Sequence, residues 1–101
     1  MSKLTTVNEL DELLLEEELT TSTLRSQLIV YNDDYNTFDW VIQCFIEACG
    51  HTFEQSEQLS LIVHFKGKAI VKTGAMDELK LIKDDLINRG LSAVVETFVE
   101  E

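Results

Sequence analysis

The chain has 101 residues, 45% of them hydrophobic, which is enough for the core of one small domain and too apolar for a disordered chain. Its 8 basic and 19 acidic residues give a formal charge of −11, which excludes nucleic acid and anionic membrane surfaces and favours a basic or amine-bearing partner. There is no N-terminal leader pattern and no apolar run near the ~20 residues that span a bilayer, so a cytoplasmic protein is expected.

Residues 1–25 differ in composition from the rest of the chain. They are rich in Glu, Asp, Thr and Ser and contain the run Glu16-Glu17-Glu18. Val7, Leu10, Leu13 and Leu14 stand at helical spacing, with Asn8 as a cap, and Thr20-Thr21-Ser22-Thr23 reads as a linker. Short isolated helices are marginal in water, so the expectation is a mobile acidic extension over 1–25 and a folded core over 26–101.

Gln27-Leu28-Ile29-Val30-Tyr31 is β-branched and aromatic and predicts the first core strand. Asn36 predicts the N-cap of the next element, with Asp39 three positions on. Phe38, Val41, Ile42, Phe45, Ile46 and Cys49 then form the strongest helical stripe in the chain, and Gly50 supplies its left-handed stop. Thr52 and Gln55 form a capping box opening a second helix through Glu57, Leu59, Ile62 and Val63 to about Phe65, stopped by Gly67. Residues 68–73 predict a strand centred on Ile70 and Val71. Residues 74–88 predict a third helix, with Met76, Leu79, Ile82 and Leu86 on its apolar side and Gly90 beyond. Residues 91–99 predict the last strand, with Ala93, Val94, Val95 and Phe98. The order β-α-α-β-α-β implies an α+β domain, a three-stranded, mainly antiparallel sheet with the helices packed on one face. The chain has no proline, so its turns rest on four glycines and on Asn and Asp.

The chemistry concentrates where the first apolar run breaks into Asn32-Asp33-Asp34. Amide and carboxylate oxygens at that position supply the acceptors an ammonium group needs, and such charge-assisted bonds are strong. The same residue types also bond neighbouring backbone amides in turns, so a purely structural role stays open. His64, at the end of the second helix, is equally open: neutral imidazole accepts one hydrogen bond from an ammonium and loses that ability on protonation. Phe38, beside the polar cluster, suits the rim of an apolar pocket. Together these residues suggest a site for a positively charged amino group next to an apolar wall. Two other classes compete with that reading. Asp33, Asp34 and His64, or His64 with a cysteine, would make a small metal-dependent or thiol enzyme, and the acidic surface alone would make an interaction domain without a pocket. Cys44 and Cys49 lie five helical positions apart, roughly 8 Å, too far for a strain-free disulfide, and are expected reduced and partly buried. His51 reads as a surface turn residue.

Val30-Tyr31-Asn32-Asp33-Asp34-Tyr35-Asn36 resembles the V-N-D-D-Y-T run of the ClpS family, the adaptors of AAA+ Clp proteases. Ile62-Val63-His64-Phe65-Lys66-Gly67-Lys68-Ala69 resembles the same family's V-H-x-x-G-K-A, and the spacing between the two motifs fits without gaps. The likeness covers about 27–95. It implies a non-enzymatic adaptor, with no cofactor or metal, that recognises N-degrons: a free α-amino group followed by a bulky hydrophobic side chain. Such substrates are handed to a Clp AAA+ ATPase of the ClpA or ClpC kind for degradation. By position, Asn32, Asp33 and His64 would bind the α-amine, and Asp34 and Asn36 the backbone beyond it. Phe38, Val41, Ser60 and Val63 would line the side-chain pocket, Asp77 would contact the ATPase, and the N-terminal extension would engage it during delivery. This chain departs from the family at Asn36, where Thr is usual, and at Thr37, where Pro is usual. Phe38 and Ser60 each stand where Met is frequent, and Ile82 stands where a basic residue comes after the acidic one.

Overall fold

The apolar 27–31 run is the middle of a longer strand, and that strand is central to its sheet. The computed structural model describes Thr6, Val7 and residues 24–99. Within them the elements are β1 (Thr6–Val7), β2 (Leu24–Tyr31), α1 (Phe38–Cys49), α2 (Phe53–Lys66), β3 (Lys68–Gly74), α3 (Met76–Asn88) and β4 (Ser92–Val99). The acidic helix expected around Leu10, Leu13 and Leu14 and the 20–23 linker lie outside the described residues. β2 pairs antiparallel with β3 on one side and β4 on the other, in the order β1-β4-β2-β3. The expected α+β architecture is observed, with three long antiparallel strands and three helices. The two residues of β1 add to the edge of β4, opposite Thr97 and Phe98.

β2 is flanked on both edges, by β3 and β4, and its Leu28, Ile29 and Val30 are buried in succession, so it reads as an unbroken apolar run rather than an alternation. Leu28 and Val30 join Ala69, Val71 and Ala93 in one core with Cys44, Phe45 and Cys49 of α1, Val63 of α2, and Leu79 and Leu86 of α3. Ile29 is buried on the other face, in register with the exposed Ile70 and Val94.

The helix ends obey local chemistry, with one correction. α1 is capped by Thr37, not Asn36: Thr37 is extended, and its Oγ1 accepts from the Trp40 N–H at 3.1 Å. The Asn36 side chain is turned away from the helix start, its Nδ2 donating to Asp33 Oδ2 and to the Gly90 carbonyl. The Thr52–Gln55 box at the start of α2 is complete, with both reciprocal bonds at 3.1 Å. α2 ends at Gly67, whose φ of 88° is open to glycine, and the Gly67 N–H donates to the Val63 carbonyl. α3 begins two residues later than expected, at Met76, because Gly74 still belongs to β3.

Two further expectations change. Cys44 and Cys49 are fully rather than partly buried, being 0% and 4% exposed. His51 is not a free surface residue, since its Nε2 lies 2.7 Å from the Val71 carbonyl and ties the α1–α2 turn to β3. Arg89, just after α3, donates from Nε to Asp85 and from a terminal nitrogen to Glu47, clamping α3 to α1. These bonds favour the charged guanidinium, while Gln43 and then Arg89 hold the Glu47 carboxyl below its ordinary value by hydrogen bonding.

Candidate functional site

Register brings the two sequence motifs together. Tyr31, the last residue of β2, is paired with Lys68, the first of β3, and the Asn32 N–H donates to the Gly67 carbonyl at 2.9 Å. The 32–36 loop therefore leaves the sheet directly beside the C-terminal end of α2, where His64 precedes Gly67 by three residues. Lys68 extends its ammonium over the Tyr31 ring, 5.9 Å from the centroid.

The loop is held by its own side chains. Asp33 Oδ1 accepts from the Tyr35 and Asn36 N–H groups, both at 2.8 Å, and Oδ2 accepts from Asn36 Nδ2 at 2.8 Å. Partial burial pushes the Asp33 carboxyl up, but the bonds from Asn36 and Tyr35 outweigh it and hold the group below its ordinary value. It therefore stays charged at neutral pH, and of the roughly four lone-pair positions on a carboxylate one is left over. Asn36 Nδ2 also donates to the Gly90 carbonyl at 2.9 Å, anchoring the loop to the turn before β4. With both amide hydrogens used, Asn36 has its Oδ1 left to offer. Trp40 reinforces this anchor, its indole N–H donating to the Arg89 carbonyl at 3.0 Å.

A cavity of about 560 Å³ opens between this loop, the start of α1 and the last two turns of α2. Every residue expected to recognise an amine, a backbone or an apolar side chain lines it: Asn32, Asp33, Asp34, Asn36, Phe38, Val41, Ser60, Val63 and His64. Polar groups come from the loop and from His64, and apolar ones from α1 and α2. Two wall residues, Leu61 and Phe65, were not expected from the sequence. Their signal was present, because both are large apolar residues on α2 that lie off its Leu59–Val63 core stripe and stay exposed. Phe65 meets the His64 ring edge-on, with centroids 4.9 Å apart. Asp77 does not line the cavity, and stands exposed in the first turn of α3.

α2 carries an unusual pair, one member of it in the cavity wall. Ser60 is 2% exposed and Ser56, one turn earlier, is 0% exposed, and neither Oγ has a hydrogen-bond partner among the described residues. Buried hydroxyls are seldom left unpaired.

The thiols are elsewhere. Neither Cys44 nor Cys49 lines the cavity, and burial raises both pKa values, that of Cys49 to about 11 despite nearby Lys72. Both thiols thus stay protonated at neutral pH, the opposite of an activated nucleophile. Among the described residues no three His, Cys, Asp or Glu side chains converge as metal ligands, so Asp33, Asp34 and His64 do not form such a set. No helix among the described residues is long and apolar enough to cross a membrane.

Comparison with known proteins gives one answer. Residues 22–94 match the family model described as ATP-dependent Clp protease adaptor protein ClpS. The ClpS adapter of Synechocystis sp. is 37% identical over 78 residues, which cover 71% of this chain and 80% of that protein. The ClpS adapter of Thermosynechococcus vestitus is 34% identical over 67 residues, covering 65% of this chain and 71% of that protein. Among solved structures, Agrobacterium tumefaciens ClpS2 bound to L-phenylalaninamide has the same fold, with a TM-score of 0.71 at 16% identity over 74% of this chain and 98% of that one. The chain, with its polar loop set against the end of α2, belongs to the ClpS family of adaptors of the ATP-dependent Clp protease.

Proposed function

We propose that this protein is a non-enzymatic adaptor that binds N-degrons and delivers them to a Clp AAA+ ATPase of the ClpA or ClpC kind in the cytoplasm. The observation that carries the reading is one cavity whose mouth bears charged and neutral acceptors and whose walls are apolar. A chain start has matching chemistry, a cationic amine one bond from the carbon that bears its first side chain. Agrobacterium tumefaciens ClpS2 is solved with L-phenylalaninamide, a molecule of that kind.

Asn32 and neutral His64 accept from the ammonium, and Asp33 adds its charge and its one spare acceptor position. Asp34 and the Asn36 Oδ1 accept from the next backbone N–H groups of the substrate. Phe38, Val41, Ser60 and Val63 surround the side chain. Burying one such side chain contributes about 1.5–3 kcal/mol, and each charge-assisted bond about 1.5–3 kcal/mol before ordering costs, which suits micromolar or tighter binding. Asp77 and the acidic 1–25 extension serve the ATPase rather than the substrate.

The test is fluorescence anisotropy with peptides beginning in Leu, Phe, Tyr or Trp against N-acetylated copies. Free amines should bind and capped ones should not. Equal affinity of the two sets would overturn the reading.

A further inference from the structure

We infer that Ser60 makes this pocket selective for a first side chain with a polar tip, tyrosine above all, over its purely apolar counterpart phenylalanine. The inference rests on the N-degron reading above and adds to it a specificity-determining residue.

The argument begins with the axis of α2. His64, Ser60 and Ser56 are spaced by one turn each, so they lie on one face of the helix, about 6 Å apart along its axis. Exposure falls along that row, from the exposed His64 at the mouth to Ser60 at 2% and Ser56 at 0%. The row is therefore a depth scale. If the amine is held beside His64, Ser60 stands about one helical turn further in, a depth comparable to the length of an aromatic side chain. Ser60 lines the cavity, whereas Ser56 lies behind the lining residues.

Chemistry supplies the second step. Ser60 Oγ is a buried donor and acceptor that no group among the described residues satisfies. Its hydroxyl has three staggered positions about χ1, so it can turn toward an occupant without moving the backbone. The flanking wall residues Val41, Val63 and Leu61 are hydrocarbon and offer no competing partner. A phenol reaching this depth both donates to and accepts from a serine hydroxyl. A benzyl ring leaves that hydroxyl unpaired and gives up the phenol's bond as well. A small residue at this position also leaves the far end of the cavity open, where a long side chain fits.

Phe and Tyr differ by one oxygen, which makes the test a double comparison. Anisotropy titrations use four peptides identical except for the first residue, Tyr, Phe, Leu or N-acetyl-Tyr, on the full chain and on Ser60→Ala and Ser60→Thr. The wild type should bind the Tyr peptide about three- to tenfold more tightly than the Phe peptide. Ser60→Ala should bring that ratio to about one, and Ser60→Thr, which keeps the hydroxyl, should preserve it. A wild-type ratio of one or below, or a ratio that survives Ser60→Ala, overturns the assignment. The acetylated peptide separates this failure from that of the underlying reading. If free amines bind and the capped one does not, the N-degron reading stands whatever the Tyr to Phe ratio. If capped and free peptides bind alike, that reading falls and takes the role of Ser60 with it.

Discussion

The two walls of the cavity obey opposite rules. In the 32–36 loop the Asp33 carboxylate and the Asn36 amide are tied to protein partners, and the loop is pinned at Gly67 on one side and Gly90 on the other. On α2 the buried hydroxyls of Ser60 in the wall and Ser56 behind it have no partner among the described residues. The contrast suits two different tasks. A charged group is recognised by acceptors that are already fixed, because any reorganisation on binding subtracts from the gain. A side chain is discriminated by what is left unsatisfied without it, because an unmet buried polar group penalises the wrong occupant.

The largest expected effect lies on the loop side. Asn32→Ala and His64→Ala should each weaken binding of a Leu- or Phe-initiated peptide roughly tenfold or more, the worth of one charge-assisted bond, with little change in thermal stability.

Next comes the lock of the loop itself. Asp33→Ala frees three donors that the carboxylate now satisfies, and should cost about 1–2 kcal/mol, moderated because water reaches this loop. The charge also links stability to pH. A carboxyl held below its ordinary value in the fold binds its proton less readily there than in the unfolded chain. Its ionised form thus stabilises the fold above the ordinary carboxylate range, and that contribution fades as pH falls through the lowered value. Asp33→Asn should therefore melt with a shallower dependence on pH between about 5 and about 3 than the wild type. Equal slopes would show that Asp33 shapes the loop without its charge mattering.

How much of this was legible in sequence depends on range. The capping box at Thr52, the glycine stops and the apolar stripe of α1 are local patterns, and all are present in the fold. Residue chemistry suggested that the loop and His64 share a site and the family resemblance agreed, but their meeting depends on β2–β3 register, which no single window contains. The misses have the same origin. Asn36 looked like the cap of α1, and only the Asp33 carboxylate and the Gly90 carbonyl, 54 positions away, draw it out of that role. His51 bonds to Val71 across 20 positions and Arg89 to Glu47 across 42, so neither pairing leaves a periodic trace. Two-residue β1 is too short to carry a pattern. Leu61 and Phe65 were visible as surplus apolar residues on α2, but nothing local says that the surplus lines a cavity.

On the helical wall the expected sign reverses. Ser60→Ala removes a buried hydroxyl without a partner among the described residues and substitutes the best helix former, so the free protein should gain about 1 kcal/mol while losing its discrimination for a polar tip. A gain of stability with a loss of selectivity separates a functional serine from a structural one, for which both would fall. If Ser60→Ala is destabilising, the hydroxyl is satisfied in the free protein and the contrast between the walls narrows.

The smallest effect tests whether the far anchor of the loop belongs to the site. Gly90 has φ of 96°, and a Cβ built there would lie 3.7 Å from Asn36 Oδ1, ordinary contact rather than a clash. Gly90→Ala should thus cost about 1 kcal/mol from backbone conformation alone. Gly50, with φ of 73° and nothing near its Cβ position, is the matched control at a turn remote from the cavity residues. If the Gly90 carbonyl holds Asn36 in place and the strain of a left-handed alanine shifts that carbonyl, Gly90→Ala and Asn36→Ala combined should weaken peptide binding by less than the product of their separate effects, because both act on the same bond. Gly50→Ala should combine with Asn36→Ala multiplicatively. Independent behaviour of Gly90 and Asn36 would mean that Asp33 positions Asn36 unaided, and that the loop is fixed from one side only.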